Sequence, residues 1–269
     1  MSIWKLGRVG MAINRLRKYC LYGPRGDTRT YVREMNKLGA SIDESLFMPT
    51  PESVFLDDTS PWLLTIGKNV SLAAGVKVLT HDASWLILKG VDGVIRGHMA
   101  PTRIGDNVFI GMNSIVLCGV TICDNVIIGV NSVVNRSIRE PGVYSGVPAR
   151  RTAELEQFQT LREAMQPREA LALAREYFRR FGKNPPQEIF HEYFWLFAPR
   201  NLETLPAVFL QKLEENGNFE QSCAAFLASQ PDFAGYDDFW HWCREKIGAA
   251  GDWHGRDGVC QGGTMWRKT

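Results

Sequence analysis

The sequence predicts a mainly β chain in which short strands coil in steps of six residues, with a helical segment before the coil and an α-helical extension after it. Three observations support this prediction. Aliphatic residues recur at every sixth position between residues 104 and 134. Of the 29 aromatic residues, 19 lie between residues 153 and 269. Residues 1–40 carry nine Lys and Arg against two acidic residues, which is typical of a basic amphipathic helix.

The six-residue period fits neither an α-helix at 3.6 residues nor a simple strand at 2. One column of large aliphatic residues contains Ile104, Ile110, Val116, Ile122, Ile128 and Val134. A second column contains Val108, Ser114, Val120, Val126, Ser132 and Ile138. Short strands joined by tight turns explain both columns, because each unit then forms one face of a triangular coil. Stacked coils pair strand on strand, so the repeats stabilise one another.

The period continues upstream and is interrupted once. Ile66, Leu72 and Val78 keep the spacing, and Ile42, Met48 and Val54 keep it in a looser pattern. Val78 and Ile104 are 26 residues apart, which is not a multiple of six. We therefore predict that residues 82–103 leave the coil as a loop.

These patterns divide the chain into four predicted segments: a basic helical segment (1–40), the coil (41–152), a helical domain (153–248) and a Gly-rich tail (249–269). Pro167 suits the first turn of a helix. Further helices are predicted over 187–198, 206–216, 219–229 and 236–247. Their aromatic stripes fit a buried core, with carbohydrate binding as the alternative.

Composition excludes several classes of protein. With 45% hydrophobic and 22% charged residues, the chain is neither disordered nor fibrous. No stretch approaches the roughly 18 apolar residues of a membrane helix. The basic start either packs on the main domain or associates weakly with a membrane surface, and we expect no nucleic-acid partner. The six cysteines include no CxxC pair, so we expect reduced thiols, a cytoplasmic location and no metal, with Cys118 and Cys123 the weakest of metal candidates.

The repeat, the loop and the closing GVPAR at 146–150 resemble the bacterial hexapeptide-repeat acyltransferases, which include galactoside, maltose and serine acetyltransferases. The sequence is most similar to sugar and polysaccharide O-acetyltransferases, through TIGKNVSLAAGVKVLTHDASW (65–85) and VFIGMNSIVLCGVTI (108–122). The similarity extends into the helical tail, through FHEYFWLF at 190–197. It implies a left-handed parallel β-helix, a hand that the period alone does not give.

Histidine suits the role of base in acyl transfer, because its unperturbed pKa lies near neutrality. His81 is the last residue in register before the predicted loop, and it matches the catalytic histidine position of the family. His98 lies in the loop, where it is either solvated or near the acceptor. The other histidines fall in aromatic or Gly-rich surroundings: His191, His241 and His254. Ser84 shows no sign of activation, so we expect direct attack by the acceptor without an acyl-enzyme.

The resemblance also implies a co-substrate site. The backbone N–H of Met112 would stabilise the oxyanion. The pantetheine arm of acetyl-CoA would lie between two subunits of a homotrimer, against the backbone of Gly111, Gly129 and Val130. We expect the missing Cβ of Gly111 to let this ligand approach the coil. Arg136 and Arg150 match basic positions near the nucleotide end, and guanidinium groups bind phosphate well.

Four residues near His81 are candidates for the acceptor: Asp57, Asp58, Asp82 and Trp85. Carboxylates bind sugar hydroxyls, and an indole ring stacks on a pyranose face. The predicted function is an acetyl-CoA-dependent O-acetyltransferase acting on a sugar or glycan precursor. The alternatives are an N-acetyltransferase of a nucleotide-linked amino sugar and a non-catalytic trimeric scaffold. A zinc carbonic anhydrase of the same fold is disfavoured, because no histidine lies between His98 and His191.

Overall fold

The computed structural model describes residues 17–249. In it, the residues with the six-residue period form a parallel β-helix. Its short strands are Ser41–Ile42 (β1), Phe55–Leu56 (β2), Leu64–Ile66 (β3), Ser71–Leu72 (β4), Lys77–Val78 (β5), His81–Asp82 (β6), His98–Met99 (β7), Thr102–Ile104 (β8), Val108–Ile110 (β9), Ile115–Val116 (β10), Thr121–Ile122 (β11), Val126–Ile128 (β12), Val133–Val134 (β13), Gly142–Ser145 (β14) and Arg150–Ala153 (β15).

Three sheets form the faces of the β-helix. Sheet 1 has the strand order β1-β3-β8-β11, sheet 2 has β4-β9-β12-β14-β15, and sheet 3 has β2-β5-β10-β13. All pairs within these sheets are parallel except β14 with β15, which are antiparallel at the end of the β-helix. The chain passes from sheet 1 to sheet 2 to sheet 3 and then begins the next coil.

The two columns predicted from the sequence form the core of this unit. Every aliphatic residue of the first column from Ile104 to Val134 is at most 2% exposed. The strand registers stack them directly, as with Ile110 on Ile128 and Val116 on Val134. The predicted β-helix of hexapeptide repeats is therefore confirmed, and burial of these stacked side chains accounts for the six-residue spacing.

Two serines in the second column are fully buried and hydrogen-bonded. The Ser114 hydroxyl donates to the Gly129 carbonyl (2.8 Å) and accepts from the Ser132 N–H (3.1 Å). The Ser132 hydroxyl in turn accepts from the Gly146 N–H (3.1 Å). Each buried hydroxyl thus satisfies backbone groups of the next coil, which is why a polar residue is tolerated at these positions.

The first coils depart from the predicted phase. Leu56, rather than Val54, pairs with Val78 in sheet 3, although both are buried. The 3₁₀ turn Pro51–Ser53 lies in the segment between Met48 and Leu56 and accounts for the shift. A local turn of this kind displaces a strand without disturbing the buried columns, so the looser upstream pattern has a structural cause.

The interruption predicted at residues 82–103 is an excursion from the coil with structure of its own. β6 and β7 pair antiparallel, with His81 opposite Met99 and Asp82 opposite His98. Between them lies a helix, Trp85–Asp92, which ends at Gly93 in the left-handed conformation. We label this helix α2. It follows α1, Thr28–Lys37, whose first turn is capped by the Asp27 carboxylate; residues 17–22 are also helical. No helix in the described range 17–249 is long and apolar enough to cross a membrane.

The second compact unit follows a division between Leu155 and Glu156. Its helices are Leu155–Phe181 (α3), Ala207–Glu214 (α4), Phe219–Ala228 (α5) and Tyr236–Ala249 (α6). Five fully buried phenylalanines form its core: Phe190, Phe197, Phe209, Phe226 and Phe239. Phe190 meets Phe239 edge-on with ring centroids 5.0 Å apart. These buried members of the aromatic stripes belong to the core of the unit rather than to an exposed sugar-binding surface.

Two helix predictions in this unit differ from the structure. α3 runs through Pro167, where we expected a helix to begin. Residues 187–198 contain two 3₁₀ turns, Gln187–Phe190 and Phe194–Leu196, instead of one α-helix. On an ideal α-helix, the side chains of Phe194 and Leu196 would be about 200° apart around the helix axis, so one of them would face away from the core. Both are buried. The tighter turns bring both side chains to the core.

Candidate active site

The strand order of sheet 3 places the predicted base and its neighbours side by side at one edge of the β-helix. We call this the third edge: the residues between sheet 3 and the next strand of sheet 1. Asp57 follows β2, Thr80 and His81 follow β5, Cys118 follows β10, and Arg136 follows β13. Because β2, β5, β10 and β13 are neighbours in that order, these residues lie on successive coils.

His81 and Asp57 form a close pair at this edge. The His81 Nδ1 lies 2.6 Å from the Asp57 Oδ2. The Asp57 side chain is fully buried, whereas the His81 side chain is 32% exposed. A carboxylate on Nδ1 places the ring proton there and leaves Nε2 with its lone pair. The pair therefore presents an oriented, accessible nitrogen base.

Backbone N–H groups fix the Asp57 carboxylate. Its Oδ2 also accepts from the Thr80 N–H (2.8 Å), and its Oδ1 accepts from the Thr59 N–H (3.0 Å). Burial raises the pKa of this carboxyl group, but the hydrogen bonds from Thr80, Thr59 and His81 outweigh burial and lower it to about 2. Asp57 is thus a carboxylate at neutral pH, in the position of a partner to His81 rather than of an acceptor ligand.

The other acceptor candidates lie in different surroundings. The Asp58 carboxylate is half exposed and lies 3.7 Å from the Arg25 guanidinium. Trp85 is half-buried at the first position of α2. Asp82 follows His81 directly in β6, so it and Trp85 belong to the excursion beside the base. The predicted acceptor residues therefore divide between the β-helix and the excursion.

Asp82 makes contacts that the sequence did not predict. Its Oδ1 accepts from the Ser84 N–H (2.9 Å) and the Ser84 hydroxyl (2.6 Å), while its Oδ2 lies 2.9 Å from the His98 Nδ1. Hydrogen bonds from Ser84 and His98 lower the pKa of Asp82 to about 2. The Cys118 Sγ lies 3.5 Å from the same His98 nitrogen. Burial raises the pKa of the Cys118 thiol, and the Asp82 carboxylate raises it further.

The residues predicted to hold the oxyanion and the pantetheine arm lie at a different edge. We call this the second edge: the turns between sheets 2 and 3, which contain Gly111 and Met112 in one coil and Gly129 and Val130 in the next. The Met112 carbonyl accepts from the Asn131 N–H (2.8 Å), which joins the two turns. Within residues 17–249, no hydrogen-bond acceptor meets the Met112 N–H. That donor is available for an oxyanion.

Gly111 lacks a Cβ for a reason other than the one predicted. A Cβ at this position would lie 2.7 Å from the Val130 nitrogen and 2.8 Å from the Gly129 carbonyl carbon. Both are backbone atoms of the adjacent coil and have little room to move. The space beside Gly111 is therefore filled by the protein, and glycine is required for the coils to stack.

Gly111→Ala is expected to lower the free energy of unfolding by about 1–3 kcal/mol, because the new methyl group overlaps backbone. Urea denaturation of the purified variant measures this. Gly90→Ala is the matched control, since a Cβ on Gly90 in α2 has nothing within 4 Å. Equal midpoints for Gly111→Ala and the wild type would contradict the packing described above.

The two predicted phosphate-binding arginines are exposed. Arg136 lies at the third edge, and Arg150 begins β15, where its guanidinium donates to the Ala149 carbonyl (2.9 Å). No carboxylate pairs with either arginine among the residues the structure describes. Arg151, by contrast, is paired with Glu140 and Glu154. Arg136 and Arg150 are therefore free to bind an anion.

The predicted base and the predicted oxyanion donor lie at different edges of the β-helix. The strand β10 and its flanking residues separate Met112 from the third edge, and four extended residues span roughly 10 Å or more. The acyl carbon under attack must lie about 3 Å from the acceptor oxygen that the base holds, and its carbonyl oxygen must lie about 3 Å from the N–H of the oxyanion donor. We therefore expect a site that uses both groups to combine the third edge of one chain with the second edge of another.

The stacked six-residue coils, with a histidine–carboxylate pair at one edge, define a β-helix protein of the hexapeptide type. Residues 101–136 match the family model described as bacterial transferase hexapeptide (six repeats). The chain is also 39% identical to Protein CapG of Staphylococcus aureus over 129 residues, which cover 47% of this chain and 73% of that protein. The chain belongs to the bacterial hexapeptide-repeat transferases.

Two solved structures are similar in part. One is a maltose O-acetyltransferase from Clostridium difficile 630, at 23% identity with a TM-score of 0.35, covering 55% of this chain and 89% of that chain. The other is a hexapeptide-repeat acetyltransferase from Vibrio cholerae O1 biovar eltor in complex with acetyl coenzyme A. It is 20% identical, with a TM-score of 0.37, and the match covers 55% of this chain and 90% of that chain.

Proposed function

We propose that this chain is an acyl-CoA-dependent acyltransferase that moves an acetyl group from acetyl-CoA to a hydroxyl of a sugar or glycan precursor. Membership of the hexapeptide-repeat transferases supports the transfer reaction. The single observation that carries the mechanism is the 2.6 Å contact between His81 Nδ1 and the buried Asp57 carboxylate. A scaffold without activity has no need of such a pair at an accessible edge.

His81 acts as the general base in this proposal. Its Nε2 takes the proton from the acceptor hydroxyl as that oxygen attacks the thioester carbonyl of acetyl-CoA. Asp57 is a positioning residue, because it holds Nδ1–H and stabilises the imidazolium that forms. The tetrahedral intermediate collapses with loss of the CoA thiolate, which takes the proton back from His81. The products are the acetyl ester and CoA, with no acyl-enzyme.

The second edge of a neighbouring chain supplies the remaining parts of the site. The Met112 N–H donates to the oxyanion, and the backbone at Gly111, Gly129 and Val130 lines the path of the pantetheine arm. Arg136 and Arg150 are exposed and lack a carboxylate partner in the described chain, which suits them to the phosphates of the nucleotide end. Asp82 and Trp85 lie on the excursion beside His81 and would contact the acceptor. The free cysteines fit a cytoplasmic location, where thiols stay reduced.

We propose a homotrimer with three equivalent sites, because the separation of the two edges calls for a second chain and the resemblance to the family implies three chains. Exposed apolar side chains lie on the excursion and at the second edge, including Val91 (81%), Ile87 (75%) and Val130 (61%). Clusters of exposed apolar groups mark surfaces that associate. We therefore place the contacts between chains along the excursion and the second edge.

Light scattering at micromolar concentration is expected to give about 91 kDa, the mass of three 30.3 kDa chains. Specific activity is expected to fall on dilution below the range in which the trimer persists, because each site uses two chains. Val91→Asp on α2 is expected to weaken the trimer, and Leu227→Asp, at an exposed position of α5, serves as its control. A 30.3 kDa species with full activity would contradict the two-chain site.

The acceptor group is tested by CoA release from acetyl-CoA with matched pairs of hydroxyl and amino sugars. Release with the hydroxyl member supports ester formation. Release confined to nucleotide-linked amino sugars assigns the chain to the N-acetyltransferase alternative. No release with any acceptor overturns the proposal.

A further inference from the structure

We propose that Asp82, His98 and Cys118 bind a divalent metal ion, with Zn²⁺ as the ion that suits them best. The three side chains come from three separate segments: β6, β7 and the turn after β10. Their ligand atoms all lie within 4.8 Å of one another. This site uses neither His81 nor Asp57, and a metal-bound Asp82 would serve the ion in place of the acceptor contact proposed for it.

The distances between the ligand atoms are close to those of a tetrahedral zinc site. Zinc lies about 2.0–2.1 Å from nitrogen or carboxylate oxygen and about 2.3 Å from sulfur. A tetrahedral angle then separates nitrogen from sulfur by about 3.6 Å and nitrogen from oxygen by about 3.3 Å. The structure has 3.5 Å from His98 Nδ1 to Cys118 Sγ and 2.9 Å from the same nitrogen to Asp82 Oδ2. Shifts of a few tenths of an ångström bring these two pairs to the ideal distances, and the third pair, Asp82 and Cys118, lies within 4.8 Å.

The kinds of ligand favour zinc over calcium or magnesium. A thiolate, an imidazole and a carboxylate form a typical zinc set, whereas calcium and magnesium prefer oxygen ligands alone. Ser84 orients the carboxylate, because its N–H and hydroxyl both bind Asp82 Oδ1 and leave Oδ2 directed toward His98. Such outer contacts strengthen metal sites. On binding, the thiol proton of Cys118 passes to solvent, and the His98 ring proton resides on Nε2.

A metal at this position would tie the excursion to the coil. Asp82 and His98 face each other across β6 and β7, and Cys118 belongs to the coil next to β5. His81 is the residue before Asp82, so the same ion would fix the strand that carries the proposed base. The side chains of Asp82 and His98 are 42% and 58% exposed. A fourth position is thus left open to water or another ligand.

Calorimetry with Zn²⁺ on the metal-free, tag-free full chain tests the site without any measurement of activity. We expect one Zn²⁺ per chain at this site and a higher melting temperature with the ion. Co²⁺ is expected to give the intense near-ultraviolet absorption of a cobalt–thiolate bond. Cys118→Ser should remove that absorption and weaken Zn²⁺ binding at least tenfold, and His98→Ala should weaken it similarly.

Cys123→Ser is the matched control, because Cys123 is another half-buried cysteine, following β11, with a thiol pKa also raised by burial. His241→Ala provides an exposed histidine control on α6. The metal-free melting temperature of each variant reports whether it folds. The proposal is overturned if the wild type binds no Zn²⁺, or if Cys118→Ser and His98→Ala, shown to be folded, bind Zn²⁺ and Co²⁺ as the wild type does. Either result leaves the acyl-transfer proposal standing, since that proposal uses no metal.

Discussion

Replacing His81 with alanine is expected to lower kcat about 10²–10⁴-fold, the usual loss when a general base is removed. KM for acetyl-CoA is expected to change little, because we propose that the co-substrate binds at the second edge and the exposed arginines rather than at His81. CoA release measured with a thiol reagent gives both parameters. Exogenous imidazole is expected to restore part of the rate, because the vacated space beside Asp57 admits a free ring.

The fold of this variant is expected to stay intact, since the His81 side chain is partly exposed and lies outside both buried columns. Far-ultraviolet circular dichroism and light scattering check the secondary structure and the assembly. His241→Ala is the matched control, because His241 is exposed on α6 of the other unit. Unchanged kcat in a folded His81→Ala variant would exclude His81 as the base.

Asp57→Asn is expected to lower kcat about 10²–10⁴-fold while retaining most of the affinity for acetyl-CoA. The carboxylate accepts from three donors: the Thr59 N–H, the Thr80 N–H and the His81 ring. An amide has one acceptor oxygen, and its NH₂ group opposes one of these donors in either orientation. The variant also loses the negative charge that stabilises the imidazolium.

Asp124→Asn is the matched control for this change, because the Asp124 carboxylate also accepts from a backbone N–H, that of Asp106 (2.7 Å), at a different edge. Both substitutions disturb one turn of the β-helix, but only Asp57 touches the base. A purely structural role for Asp57 predicts that both variants lose stability and keep kcat. Equal kcat values in folded Asp57→Asn and Asp124→Asn would therefore contradict the positioning role.

Acid unfolding gives a second measure of the Asp57 environment. A carboxyl group has a pKa of about 3.9 in an unfolded chain, and that of Asp57 is about 2 in the folded protein. Its contribution to stability is therefore present above pH 4 and is lost as the pH falls through 2. The stability difference between wild type and Asp57→Asn is expected to shrink by about 2 kcal/mol between pH 5 and pH 2.

The sequence predicted the β-helix well because each coil packs only on the coils directly before and after it, so the core repeats along one axis. A buried aliphatic residue every sixth position identifies both the strand and its register, as Ile110 and Ile128 show. The same reasoning failed at Leu56, where a local 3₁₀ turn shifts the strand by two residues from Val54. It also failed at residues 187–198, because burial on several sides of a segment does not distinguish an α-helix from successive 3₁₀ turns.

The sequence singles out His81 because it stands where the period breaks, and its role as the base stays a prediction. Its contact with Asp57 was not predictable, because that contact depends on the stacking of β2 on β5, across 24 residues of sequence. Asp57 was therefore grouped with Asp58 and Asp82 as an acceptor ligand. The structure separates these three carboxylates by their partners: His81, Arg25 and His98.

The candidate metal site also depends on contacts between residues that are distant in the sequence. Cys118 and His98 are 20 residues apart, a spacing unlike a zinc motif, and the sequence therefore favoured no metal. An excursion that returns to its own coil brings distant residues together in a way that linear spacing cannot indicate. The sequence identified Gly111 but not the reason for glycine there. The neighbouring backbone, rather than a ligand, occupies the space that a Cβ would need.

Acceptor-dependent release of CoA from acetyl-CoA, compared between the wild type and His81→Ala, is the direct test of acyl transfer by this chain. We expect a hydroxyl-bearing sugar or glycan precursor to stimulate release by the wild-type protein, and His81→Ala to lose this stimulation by about 10²–10⁴-fold. Absence of release with every acceptor, or equal release by the two proteins, would contradict it.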